Sequence, residues 1–287
     1  MKQRIAANRF IRLLTDLVHR YLSHGVAQDS AALTYYLIFA LFPLITLVVS
    51  LLSSNIVAAF APSSDTLLQE ILALLPDDIQ NILAQYINYL AITPSRTLIG
   101  FSTVFAIYAP MRAAGALLLS VRKAYNLNPP TRFFIHQFKT LLYTVCLVVV
   151  FPVSLILQAV GERALRFVTE LLSLRWDFIE LWNSLRFLIL AVLFFLAIAF
   201  IYALAQEERR KIRDIWPGVT VALLGWMLLS VAFSFYVENA ANYSLLYGSL
   251  GTIIILLLWL YLTASVLIMG AEFNGALLAM RDKKHTA

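Results

Sequence analysis

Between Glu238 and Glu272 the chain carries no charged residue. The 33 intervening residues would extend about 50 Å as one helix. A bilayer's hydrocarbon core is only about 30 Å thick. The stretch therefore predicts both a membrane crossing and an interruption. Tyr243 to Gly251 holds turn residues, two tyrosines and glycines, including Tyr247, Gly248 and Gly251. Thr252 to Met269 is almost wholly Ile, Leu, Trp and Tyr, with Trp259 at its centre. Gly270-Ala-Glu-Phe-Asn274-Gly275 then reads as a small-residue exit carrying one carboxylate. The expected order is a turn, a span and an exit, with the turn on the outer face.

The same character extends along the chain. Hydrophobic residues make up 61% and charged residues 13%. Soluble domains are nearer half and a quarter. The fold class expected is all-α: a polytopic membrane bundle in one domain (1–287). Six spans are read at about 31–53, 97–121, 140–160, 187–205, 215–237 and 251–271. Residues 1–25 form a basic amphipathic arm suited to the membrane surface. Residues 54–96, with Asp65, Glu70, Asp77 and Asp78, read as short helices over the outer face.

Proline punctuates the spans. Pro43, Pro110 and Pro152 each remove a backbone donor inside a span, which predicts kinked or broken helices. Pro217 falls in a first turn, where the missing N–H matters little. Gly218, Ala222 and Gly225 then form a small-residue face suited to close helix contact.

Charge sets the orientation. Sixteen of the 22 basic residues lie in the N-terminal arm, the loops 122–139 and 207–214, and the tail. Five lie on the opposite face. This bias predicts a multi-pass protein of a bacterial inner membrane with both termini cytoplasmic.

Chemistry within the spans is sparse. Intramembrane charges are costly and usually face a cavity or partner. Arg112, Glu238 and Glu272 are the candidates. Arg112 and Glu272 both fall on the inner half, so a pair between them is conceivable. Asn274 would let another helix approach closely. Against enzyme chemistry, His19, His24, His136 and His285 are scattered, without metal-ligand spacing. No phosphate-binding glycine loop occurs. The single Cys146 supports neither a disulfide framework nor a thiolate metal site. No cofactor, no metal and no nucleic acid are expected.

Ala32-Leu-Thr-Tyr-Tyr36-Leu-Ile-Phe-Ala-Leu-Phe-Pro43, Trp216-Pro217-Gly218, Tyr247-Gly-Ser-Leu-Gly251, Trp259-Leu-Tyr261 and Gly270-Ala-Glu-Phe-Asn274 occur in this order. In that order and spacing the chain resembles the YihY/BrkB-like bacterial inner-membrane proteins, over nearly its whole length. The resemblance implies the six-span plan. The family has carried a ribonuclease label, and some members have links to lipid or lipopolysaccharide handling. Two functions are expected in competition. The first is a transporter or exposer of an anionic amphiphile such as a lipid, with Arg112, Glu272 and Asn274 at the site. The second is a membrane scaffold, acting through a homo-oligomer or an envelope protein partner.

Overall fold

A computed structural model describes residues 2–52, 96–130, 132–147, 149–150, 154, 177–206, 212–239 and 249–285. The expected outer-face segment, Pro152, Tyr247 and Gly248 lie outside the described residues. Seven helices are described, with no strand among these residues. They are α1 (Lys2–Ser23), α2 (Val26–Leu52), α3 (Arg96–Ala124), α4 (133–147), α5 (Asp177–Ala205), α6 (Ile212–Asn239) and α7 (Ser249–His285).

Among the described residues, three stretches are long and apolar enough to cross a membrane: Phe187–Ala205, Asp214–Val237 and Ile253–Arg281. They lie in α5, α6 and α7. Large apolar side chains such as Leu196, Leu228 and Val231 face outward from them. The buried positions include small or polar residues, Ala197, Ala222, Ala264, Ala271 and Asn274, beside larger ones such as Ile201, Tyr202, Val219 and Ile268. At the small positions close backbone approach helps hold membrane helices together.

The breaks expected at prolines are corrected here for Pro43 and Pro110. α7 continues as helix through Gly270–Gly275 to His285. The glycines serve packing, since an intact ladder leaves no backbone group unpaired where a neighbouring helix comes near. Likewise α2 and α3 run through Pro43 and Pro110 without a break. One missing donor does not stop a long apolar helix whose remaining ladder is intact.

α2 packs most extensively on α3, and α7 packs on α6, α2, α3 and α1. α7 is therefore the helix that joins α1, α2, α3 and α6. The α6 face at Gly218, Ala222 and Gly225 meets α7. A Cβ on Gly270 would stand 2.6 Å from that of Ala222 and 2.7 Å from the carbonyl oxygen of Gly218. No side chain fits there without moving backbone.

Two helix ends are closed by left-handed residues. Gly25 (φ 65°) ends α1 and passes the chain straight to α2. Asn126 (φ 53°) ends α3: its N–H reaches Lys123 O at 2.9 Å, and that of Leu127 reaches Arg122 O at 3.0 Å. This is a Schellman closure with asparagine at the position that glycine usually takes.

Candidate functional site

The end of the bundle where α1, α3 and α7 meet holds a buried ionic cluster. Glu272 is 1% exposed. Its Oε1 lies 2.6 Å from His24 Nδ1, and its Oε2 accepts from Arg20 at 3.3 Å. Arg20 also binds Asp16 at 3.0 Å and donates to the carbonyl oxygen of Ala124 at 3.2 Å. Ala124 is the last residue of α3, so its carbonyl has no partner within its own helix. A cation at that negative end is favourable. Gly275 makes room for the contact: a Cβ there would collide with the Ala124 carbonyl.

Two residues further along α7, Asn274 is fully buried and bonded through both its oxygen and its amide. Its Oδ1 accepts from Gly218 N–H at 2.6 Å. Its amide donates to Tyr125 Oη at 2.9 Å and to Ile215 O at 2.7 Å. Asn274 thus ties α7 to α6 beside Pro217, which lies inside that helix and not in the first turn expected of it, and to the end of α3. Nearby, Tyr202 donates to the carbonyl of Leu267 in the space that Gly270 leaves open.

Other cations repeat the capping pattern. Arg122 is 4% exposed and donates to Ala205 O at 3.0 Å, at the end of α5, and also to Asn128 O. Lys139 reaches Gln206 O at 3.0 Å. Burial, and then the charges of Arg122 and Lys139, hold His136 below the usual imidazole pKa. Lys123 pairs with Asp29, and Arg281 with Asp214. Arg20, Arg122, Lys123, Lys139 and Arg281 are thus engaged in joining one helix to another.

Arg112 lies elsewhere. It does not meet Glu272, whose oxygens are taken by Arg20 and His24. It sits midway along α3, about 18 Å of helix rise from Ala124, and its side chain is exposed. Its guanidinium donates to Tyr36 Oη at 3.4 Å and lies 5.5 Å from the centre of that ring. Among the described residues no carboxylate pairs with it. Around it runs an aromatic surface: Tyr35 stacks on Phe39, Phe39 meets Phe105, and Phe105 meets Tyr108, with centroids 6.1–6.2 Å apart.

On the other side of Tyr35, α2 and α7 enclose an open groove of about 460 Å³. Ile38, Ile254, Leu257 and Leu258 line its apolar part, with Thr34, Tyr35 and Tyr261 among them. Trp259 faces away from it, against Phe233 (4.9 Å) and Trp226 (6.3 Å) on α6. Gly251 is buried in the first turn of α7.

Arg20 and His24 were not singled out from the sequence. Arg20 looks like one more arm cation, and its partner is 252 positions away. Its one local signal is the helical wheel, which places it opposite the stripe of Ile11 and Val18.

Comparison with known proteins gives a consistent result. The ribonuclease-like protein YfkH of Bacillus subtilis is 28% identical over 94% of this chain and 96% of its own length. UPF0761 membrane proteins also match, at 26% identity in Chromohalobacter salexigens and 24% in Nitrosospira multiformis. The chain covers 62% of the length of each of these two. No solved structure matches. The family model described as virulence factor BrkB matches residues 17–287, which takes in the Glu272 cluster, the Asn274 junction and Arg112. This chain is a membrane protein of the BrkB family.

Proposed function

We propose that this protein moves or exposes an anionic amphiphile, most simply a lipid, across or within a bacterial inner membrane. It does so in a six-span bundle with both termini cytoplasmic. The observation that carries the reading is Arg112. An exposed guanidinium midway along α3, which this reading takes as a span, is held on the face of Tyr36 without a carboxylate among the described residues, and in a membrane it calls for an anionic partner. Guanidinium suits phosphate through paired donors. The Tyr35–Phe39–Phe105–Tyr108 surface and the α2–α7 groove offer apolar paths for chains on either side of Tyr35.

In this reading Glu272 and Asn274 act by positioning. Their polar atoms are already satisfied within the bundle, and they hold α7 while the amphiphile passes. The reading is also non-enzymatic, although YfkH carries a ribonuclease-like name. Glu272 is locked between Arg20 and His24, and His136 stands beside two cations, so neither is placed as a free acid or base.

The test is exchange of a fluorescent anionic phospholipid between the leaflets of reconstituted vesicles. Wild-type protein should accelerate exchange, Arg112→Lys should retain part of the rate, and Arg112→Ala should lose it with unchanged thermal stability. No acceleration by well-folded wild-type protein overturns the proposal. The scaffold alternative draws on the saturated Glu272 and Asn274 contacts. It is favoured if Arg112→Ala lowers stability without altering exchange while crosslinking captures a defined envelope protein or a second copy.

A further inference from the structure

α1 has three faces, and only one is covered by the bundle. At about 100° per residue, Leu13, Leu17 and Arg20 share a side. This side is half-buried to buried, and Arg20 locks it to Glu272. A second side carries Ile11, Leu14, Val18 and Leu22, which are 56, 46, 62 and 72% exposed. Between the two, Arg12, Thr15 and His19 are exposed and polar.

A helix in water needs one apolar face, against its protein. A second, contiguous apolar stripe on the same helix calls for another apolar medium. The position of α1 supplies one. Its last residue, Ser23, is two residues from the start of α2, and His24 binds Glu272 on α7. Tyr21 faces Tyr261, which lines the groove between those two helices. α1 is therefore held at the level where membrane helices emerge. Its charge is matched to that level as well. Residues 1–12 contain Lys2, Arg4, Arg9 and Arg12 and no acidic residue. Basic residues beside a membrane surface attract anionic headgroups by roughly 1 kcal/mol each.

We infer that α1 is an in-plane helix that docks its Ile11–Leu14–Val18–Leu22 stripe into the leaflet at the bundle end and binds anionic phospholipid there through its basic residues. The Arg20–Glu272–His24 cluster fixes its rotation, so that one apolar face meets protein and the other meets lipid. This interaction is independent of any exchange activity at Arg112.

The experiment uses the full chain with Cys146→Ser and single nitroxide-labelled cysteines at Leu14, Val18, Arg12 or His19. All four positions are exposed, so the labels leave the Glu272 cluster untouched. Collision rates with oxygen and with a nickel chelate are read in nanodiscs of phosphatidylcholine alone or with phosphatidylglycerol. Labels at 14 and 18 should be oxygen-rich and several-fold more protected from nickel than those at 12 and 19. Phosphatidylglycerol should deepen that protection, and Arg4→Gln/Arg9→Gln/Arg12→Gln should abolish the deepening. Equal nickel access at all four positions overturns the proposal. So does protection indifferent to phosphatidylglycerol, which removes the anionic headgroup. Spin–spin broadening between labels at position 18 would assign the stripe to a second copy and overturn it too.

Discussion

The backbone N–H of Gly218 donates to the side-chain oxygen of Asn274 at 2.6 Å, and the same side chain donates to Ile215 O at 2.7 Å. One amide thus serves a donor and an acceptor on the two sides of Pro217 in α6. Asn274→Ala leaves both without that partner in a fully buried place. Each unsatisfied buried group costs about 1–3 kcal/mol. A clear fall in the thermal midpoint of detergent-solubilised protein is expected. Asn274→Asp should be worse, because a carboxylate cannot donate to Ile215 O or Tyr125.

Glycine substitutions should separate sharply by position. Gly218→Ala and Gly275→Ala drive a Cβ into backbone carbonyls, those of Gly270 and Ala124. Both should lower the yield of folded protein severely. Gly115→Ala meets only a Thr140 methyl at 3.5 Å, an ordinary contact. It should be neutral or stabilising, since alanine favours a helix over glycine by about 1 kcal/mol. Comparable losses at all three positions would contradict the packing described for α6 and α7.

Glu272→Gln removes the charge that faces Arg20 and His24. A buried ion pair broken from one side typically costs about 3–5 kcal/mol, and the loss here should fall below that because Arg20 keeps Asp16 as a partner. Arg20→Met with Glu272→Met should recover much of the loss. It should not recover all of it, because the Ala124 carbonyl stays uncapped. A double-mutant cycle on thermal unfolding measures the coupling.

His136 contributes a pH dependence with a definite sign. Burial first, and then Arg122 and Lys139, lower its pKa in the folded protein. The folded state therefore resists protonation that the unfolded chain accepts. The stabilising effect is complete above the ordinary imidazole value of about 6.5. It is lost as pH falls from there through the lowered value. Melting between pH 7.5 and 5 (about one unit either side of that value or more) should show a decline that His136→Gln reduces.

The membrane character, the helical class and the close-packing face of α6 were legible because each is written in local composition or period. Gly218 and Ala222 lie one helical turn apart, and the sequence shows that directly. The packing role of the glycines near the end of α7 was not legible for a related reason. Gly270 and Gly275 weaken a helix in water, but between membrane helices they are contact points, and sequence alone does not say which medium or neighbour applies. Glu272 and Asn274 stood out as polar residues in an apolar run. Their partners did not, because Arg20 and Tyr125 are brought to them only by the folded arrangement of α1, α3 and α7. Arg112 was visible as an intramembrane cation, yet its seat on Tyr36 depends on the register between α2 and α3.

The contact between Arg20 and Glu272 joins residues 252 positions apart, and this bears on how the protein is made. Arg20 leaves the ribosome early, and its carboxylate partner is among the last residues synthesised. Until then the nascent chain holds a guanidinium meant for burial, with no counter-charge from α7. A product cut short before Glu272 keeps that defect permanently, whereas one that loses only the final tail does not. The seat of α1 on the bundle is therefore completed only once most of α7 has been made, with Asp16 the one carboxylate at hand for Arg20 until then.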